Sequence, residues 1–326
     1  MVESLRDSRL MPFVGLDANL FGRVSEPEKW RRESGFLPGS AELARYLSRE
    51  FRYPLLQDWP DLARVAQYSL AAERLEDLYN AVSEIFDAGD FLPTPLHSII
   101  AEMAARAVAE SRLEKSNFLL TRDSLLRRFV VVTTGYDNLF EKAFAAAVGD
   151  FHVVSYAARG DQRGKFFHLR YAGGAPAPGG PPLIGKPNNY GALADGNPVI
   201  LKLPGTVESA DPRYAITEDD YFDFLTSREL PSLLPSVVAG KLKGSNHLFL
   251  GYSPFSWNMR VPLYRIWGNQ RSFRKSWAVL SETETLDETF WKACGVTVVR
   301  SDLKEFVAGL RAAVEAAAAL VAAAGQ

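Results

Sequence analysis

Seven short and almost uninterrupted apolar runs limit what this chain can fold into: Pro12–Gly15, Phe129–Thr134, His152–Tyr156, Val199–Leu203, His247–Ser253, Ser276–Leu280 and Val296–Val299. Several lack the alternation of a sheet that is wet on one face. Continuous apolar runs suit strands buried on both faces, as in a parallel sheet covered by helices. Helical patterns separate many of them. Asn138–Val148 follows the second run directly. Thr217, Glu218, Asp219 and Asp220 have the Ser/Thr-x-x-acid form of a capping box that opens another helix. This alternation predicts an α/β doubly wound, mostly parallel sheet of six to seven strands.

Residues 40–128 read differently. The stretches AELARYLSREF, DLARVAQYSLAAERLEDLYNAVSEIF and LHSIIAEMAARAVAE are all helix-like, with few strand signals between them. The economical organisation is one domain, with residues 1–39 and 129–304 as its core. A helical subdomain is inserted at 40–128 and a terminal helix spans 305–326. Residues 172–182 are Gly, Ala and Pro only. They have nothing with which to build a core and are expected to form a loop.

Composition removes several classes. The chain of 326 residues carries 37 basic and 39 acidic side chains, a formal net charge of −2. A bulk electrostatic grip on nucleic acid or on a membrane surface is therefore not expected. A single cysteine, Cys294, can form neither an internal disulfide nor a four-cysteine zinc site. The opening MVESLRDSRLMPFVG has no apolar leader, and the alanine-rich tail is interrupted by Arg311 and Glu315. These features predict a cytoplasmic protein.

Four turns follow predicted strands, at the edge where doubly wound sheets bind ligands. They hold Gly15-Leu16-Asp17-Ala18-Asn19, Thr133-Thr134-Gly135-Tyr136-Asp137, Lys202-Leu203-Pro204-Gly205 and Gly251-Tyr252-Ser253. In this order, and with FLPGSAELARYL, VTTGYDNLFEKAF, RGKFFHLR, VILKLPG, AITEDDYFDFL and LFLGYSPFSWNMRV around them, the chain resembles the bacterial sirtuin-like family of antiphage defence systems. The resemblance implies a Rossmann-like core and NAD, or a related nucleotide, as ligand, with no metal. It maps ligand-binding positions onto Gly15, Asp17, Asn19, Thr134, Tyr136, Asp137, Gly251, Tyr252 and Ser253.

The sequence departs from that family where chemistry is done. The family's first loop reads Gly-Ala-Gly, and Leu16 and Asp17 replace its second and third residues. A carboxylate about 4 Å from a phosphate is repelled by roughly 4 kcal/mol at an effective dielectric of 20. The family's Thr-Thr-Asn-Tyr-Asp has an asparagine that positions ribose and water, and Gly135 stands there. The family's Lys-Leu-His-Gly supplies a base, and Pro204 stands there. Ser256 replaces an aspartate just before Trp257. Losing a positioned acid or base costs about 10²–10⁴ in rate. The expectation is a catalytically degenerate scaffold or regulatory subunit that binds NAD weakly and works with a protein partner or a second copy of itself. An NAD hydrolase with relocated groups, Asp137 standing in as base, is one alternative. A non-catalytic binder of a nucleotide or ADP-ribose-like signal is the other.

The remaining polar clusters have plainer readings. His97, His152, His168 and His247 are widely spread in sequence and read as structural, with His168 open to a role in a substrate loop. Glu218, Asp219 and Asp220 read as a helix cap rather than a metal cluster. Arg159, Arg163, Lys165 and Arg170, interleaved with Phe166, Phe167 and Tyr171, read as a solvated face or partner contact rather than a phosphate or nucleic-acid grip.

Overall fold

The computed structural model describes residues 9–54, 61–72, 74–86, 90–115, 128–180, 182–207, 214–227, 229–252, 256–268, 274–281 and 285–324. A nine-stranded sheet of order β5-β4-β3-β6-β2-β1-β7-β8-β9 runs through its centre. The strands are β1 (Leu10–Val14), β2 (Val130–Thr133), β3 (Phe151–Tyr156), β4 (Phe166–Ala172), β5 (Ala175–Pro176), β6 (Val199–Lys202), β7 (Asn246–Leu250), β8 (Ser276–Leu280) and β9 (Val296–Arg300). From β3 to β9 across the sheet every pairing is parallel. The doubly wound α/β architecture expected from the apolar runs is present.

The strand number needs correcting, from six or seven to nine. β4 adds to β3 antiparallel, and β5 adds to β4 in the same way. The Gly/Ala/Pro stretch expected to be a loop therefore supplies an edge strand. Gly173 and Gly174 both have positive φ, +57° and +82°, which makes the tight turn between β4 and β5. β5 is two exposed residues long and ends on Pro176, a residue tolerated only at a sheet edge. It carries no apolar pattern that could have announced it.

Among the described residues, eleven helices are distributed around the sheet: α1 (Ser40–Glu50), α2 (Leu62–Ala72), α3 (Leu75–Phe86), α4 (Pro95–Lys115), α5 (Leu139–Ala147), α6 (Glu218–Thr226), α7 (Leu230–Leu233), α8 (Ser236–Gly244), α9 (Trp257–Trp267), α10 (Thr285–Ala293) and α11 (Leu303–Ala324). Successive strand residues point to opposite faces. Val130 and Val132 enter one core with Phe224, Val238, Met259 and Trp291 of α6–α10. Val131 enters the other, with Ile99 and Ile100 of α4, Phe140 and Phe144 of α5, and Leu310 of α11. A third core holds Leu43, Leu47, Val65, Leu78 and Val82 of α1–α3 against Tyr136, Val207, Tyr214 and Ile216. Those last four residues belong to loops beyond the strand ends. Helices α1–α3 thus roof the carboxyl edge of the sheet, while α4 covers one of its faces. No helix among the described residues is long and apolar enough to cross a membrane.

The predicted capping box forms. Thr217 Oγ1 accepts from the Asp220 N–H at 3.2 Å, and Asp220 Oδ2 accepts from the Thr217 N–H at 2.9 Å. The basic stretch folds onto partners within the chain: Arg159 pairs with Asp220 at 2.8 Å and Arg163 with Asp223 at 2.8 Å. Phe166 and Phe167 are buried and Tyr171 stacks on Phe151 at 4.4 Å, so these rings are not laid out for bases.

Two buried histidines give the fold an acid sensitivity. His97 Nδ1 accepts from the Thr94 N–H at 3.3 Å, and burial holds its pKa down at about 4 despite the nearby Asp137 charge. His247 donates Nε2–H to the Leu242 carbonyl at 3.0 Å, and burial brings it to about 4 as well. Unfolded histidine takes its proton near pH 6.5. Between about pH 4 and 6.5 the unfolded chain therefore binds more protons than the folded one, so stability rises with pH. The urea midpoint is expected to fall steadily as pH is lowered through that window. A flat midpoint from pH 6.5 to 4.5 contradicts the assignment.

Candidate functional site

Strands β6, β2, β1 and β7 are neighbours in the sheet, and their carboxyl ends lie level. The Leu203 N–H donates to the Thr133 carbonyl at 3.1 Å, the Thr134 N–H to Val14 at 3.0 Å and the Gly15 N–H to Leu250 at 2.8 Å. Four distant stretches of sequence thereby meet at one edge. Gly15, Asp17, Asn19, Thr134, Gly135, Tyr136, Asp137, Pro204, Gly251 and Tyr252 all stand on these strand-end loops. Ser253 lies outside the described residues.

Loops one and two are joined by side chains. Asn19 Nδ2 donates to Asp137 Oδ2 and to the Pro38 carbonyl, both at 3.3 Å. The other oxygen of Asp137 accepts from the Leu139 N–H at 3.1 Å, so the carboxylate caps α5. Asp137 is buried and both its oxygens are engaged. As a stand-in base it would have to leave these partners.

Asp17 turns to the amino terminus of α1. Its Oδ1 accepts from the Ser40 N–H at 2.6 Å, at the first turn of α1. The next amide is taken as well: Glu42 Oε2 accepts from the Gly39 N–H at 2.9 Å. A helix amino terminus is the part of such a fold best suited to an anion. Here two carboxylates of the chain fill it. Burial raises the Asp17 pKa, against the hydrogen bonds from Ser40, and the neighbouring Glu42 charge adds to the rise. Arg23 compensates, donating to Glu42 Oε2 at 2.8 Å and to the Leu37 carbonyl at 2.9 Å. A pyrophosphate does not fit this helix end unless Asp17 moves away.

The two positions that depart furthest from the expected chemistry have structural occupations. Gly135 donates its N–H to Thr133 Oγ1 at 3.0 Å, and a Cβ there would lie 3.2 Å from Asp137 Oδ2. Pro204 is buried and its carbonyl accepts from the Ala215 N–H at 2.6 Å. Neither presents a side-chain proton donor or acceptor. Tyr136 faces away from the edge into the helical roof, where its hydroxyl donates to the Ala215 carbonyl at 3.1 Å and its ring meets Tyr214 at 5.3 Å. Tyr252 is buried, and burial raises its phenol pKa against the influence of the Thr134 side chain.

A cavity of about 470 Å³ opens beside these loops. Asn19 and Leu139 form its floor on the strand-end side, with Phe36, Leu37, Phe91, Leu92 and Thr94 around it. Asn19 is 6% exposed, and its Oδ1 has no hydrogen-bond partner among the described residues. The sequence reading included Asn19 but missed the wall made by Phe36, Phe91 and Leu92. Those residues follow no strand, so nothing in the pattern of turns pointed to them. It also missed Lys202, whose side chain is completely buried and donates to the Asp137 carbonyl at 2.5 Å, Glu141 Oε1 at 2.8 Å and Thr206 Oγ1 at 3.2 Å. A lysine inside an apolar run was the available signal.

The profile of the SIR2-like domain matches residues 130–299, just over half of the chain. The chain belongs to the SIR2-like domain family. The match runs from β2 into β9, so it covers the second, third and fourth strand-end loops. β1 with its loop, and helices α1–α4, lie outside it. No curated protein matches the chain. The family is related to NAD, and its sheet is the one described above. Among the described residues no group of three or more His, Cys, Asp and Glu is placed to hold a metal ion.

Proposed function

We propose that this SIR2-like protein is a catalytically degenerate member of its family and acts as a binding or regulatory subunit, in the bacterial defence or signalling setting its sequence resembles. One observation carries the reading. At the two loop positions where NAD cleavage needs an asparagine and a histidine, the chain has Gly135 and Pro204, and both are absorbed into the backbone of the loops. Rebuilding a general base from Asp137 would cost its cap on α5 and its bond to Asn19. The anion seat at α1 is filled by Asp17, which supports weak binding of a dinucleotide. A second reading, binding without turnover, is favoured by the cavity beside Asn19, whose aromatic walls and unpartnered amide oxygen suit a flat heterocycle with a donor group.

The test is nicotinamide release from NAD, run beside calorimetry with NAD and ADP-ribose on the same sample. The expected result is release at background and weak or undetectable NAD binding. Asp17→Gly should strengthen binding at least severalfold, since it frees the Ser40 amide and removes a like charge, and should still give no turnover. Leu16 is best left alone, because it is buried in the third core. Sustained turnover that disappears in Asp137→Asn would replace this reading by that of an NAD hydrolase with relocated groups.

A further inference from the structure

At the amino-terminal edge of the sheet, opposite the cleft, four side chains form a continuous hydrogen-bonded chain. His152 Nε2 lies 2.9 and 3.0 Å from the two oxygens of Asp195. His152 Nδ1 lies 2.9 Å from His168 Nε2, and His168 Nδ1 lies 2.8 Å from the Tyr190 hydroxyl. β3 and β4 bring the two imidazoles together. Val154 is opposite His168 and His152 is opposite Arg170, so the histidines are diagonal neighbours on one face of the ladder. Sixteen residues separate them in sequence, and only the antiparallel pairing of β4 closes that gap.

Charge fixes the direction of every bond. Asp195 also accepts from the Asn197 N–H at 3.0 Å and from Asn197 Nδ2 at 2.9 Å, and Arg128 stands 3.9 Å away. Despite its own burial, its pKa is held below the usual range by His152, Asn197 and Arg128. A carboxylate only accepts, so His152 donates Nε2–H to it and keeps a lone pair on Nδ1. His168 must then donate Nε2–H to His152 and accept the Tyr190 O–H on Nδ1. The arrangement satisfies all four groups only while the pair of rings carries little charge. One proton can be taken up if the His152–His168 and His168–Tyr190 bonds reverse, while His152 still donates Nε2–H to Asp195 and carries the charge against it. A second proton sets two N–H donors 2.9 Å apart with no acceptor between them. It also puts two cations beside Arg128 and Arg170.

We propose that Asp195, His152, His168 and Tyr190 form an acid-released latch, which closes the β4–β5 edge and the segment 187–197 onto β3 at neutral pH and frees them as the histidines protonate. The electrostatics agree in direction. Burial, then the His152 and Arg170 charges, draw His168 down to about 4. Burial, with Arg128 and Arg170, lowers His152 against the pull of Asp195. A released edge takes its protons near pH 6.5. Lowering the pH from 7 to 5 therefore favours release by a factor of about 10 or more. Release uncovers the hydrogen-bonding edge of β3, a template for another strand.

Hydrogen exchange on the full chain at pH 7 and pH 5, corrected for the intrinsic rate, tests this. Amides of β4 and of residues 187–194 should show at least about tenfold more opening at pH 5, while those of β1, β2 and β7, which open only with the whole fold, should stay far better protected than the edge at both pH values. His168→Gln is the informative variant. Its amide N–H can donate to His152 and its amide oxygen can accept from Tyr190, yet it does not titrate, so most of the pH response should vanish. If that variant fails to fold, Tyr190→Phe serves instead: it removes the outer bond and should raise edge opening severalfold already at pH 7. An edge that opens only together with the central strands at pH 5, a wild-type pH response of the edge in His168→Gln, or a Tyr190→Phe profile identical to the natural protein would each overturn the latch.

Discussion

Gly15→Ala should lower the unfolding free energy by about 3 kcal/mol or more, at the upper end of what overpacking costs. The added Cβ would lie 2.0 Å from the Gly251 carbonyl oxygen and 2.9 Å from its carbon. Both obstacles are backbone, so no side-chain rotation relieves them. Gly251 cannot retreat, because its own Cα faces Ala18: a Cβ there would lie 2.5 Å from the Ala18 nitrogen, and its φ is +66°. The Gly15 N–H is bonded to Leu250 at 2.8 Å, so the strain falls on the pairing of β1 with β7 at the centre of the sheet. Gly309→Ala on α11 is the control, with nothing within 4 Å of its new Cβ. It should be neutral or stabilising by roughly 0.5–1 kcal/mol, as alanine is in a helix interior. Urea titrations of the two variants measure the contrast. A Gly15→Ala cost under about 1 kcal/mol would sink the packing argument. The result bears on function, because it assigns this glycine to contact between loops one and four rather than to the approach of a phosphate.

What could be read from the sequence was whatever burial writes into it. β1, β2, β6, β7 and β8 are covered on both faces for most of their length, so they are largely apolar, and the parallel order follows from the helices between them. The convergence of Gly15, Gly135, Pro204 and Gly251 on one edge then follows from topology alone. Edge elements were not legible. Beyond His168, β4 alternates half-buried and exposed residues, and both residues of β5 are exposed, so the hairpin beside β3 and the meeting of His152 with His168 left no pattern. Side-chain direction was also beyond reach. That a helix amino terminus 23 residues further along the chain holds Asp17 could not be read from its motif. Tyr136 sits in the middle of a ligand-loop motif and serves the helical roof instead. The family profile begins at β2, in keeping with a first loop whose Leu16 and Asp17 have been turned to packing and capping.

Lys202→Met should be the most damaging single change near the cleft, costing about 3–5 kcal/mol, the range for breaking a buried ion pair by removing one partner. The lysine is completely buried at the end of β6 and makes its three bonds to Asp137, Glu141 and Thr206. Methionine preserves the stem and removes every donor. Glu141 is then left as a buried carboxylate, 8% exposed, whose second oxygen already lacks a hydrogen-bond partner among the described residues. The Asp137 carbonyl loses its donor too, which loosens the turn that holds Asp137 against Asn19. Replacing both partners, Lys202→Met with Glu141→Leu, removes the stranded charge and should recover most of the loss. A double-mutant cycle in urea should therefore return a coupling of at least about 2 kcal/mol, within the span seen for contacting residues. If the two single changes simply add, the pair is not what ties the second loop to the third. If they couple as expected, a buried charge pair, and no catalytic group, is what fixes the distance between Gly135 and Pro204.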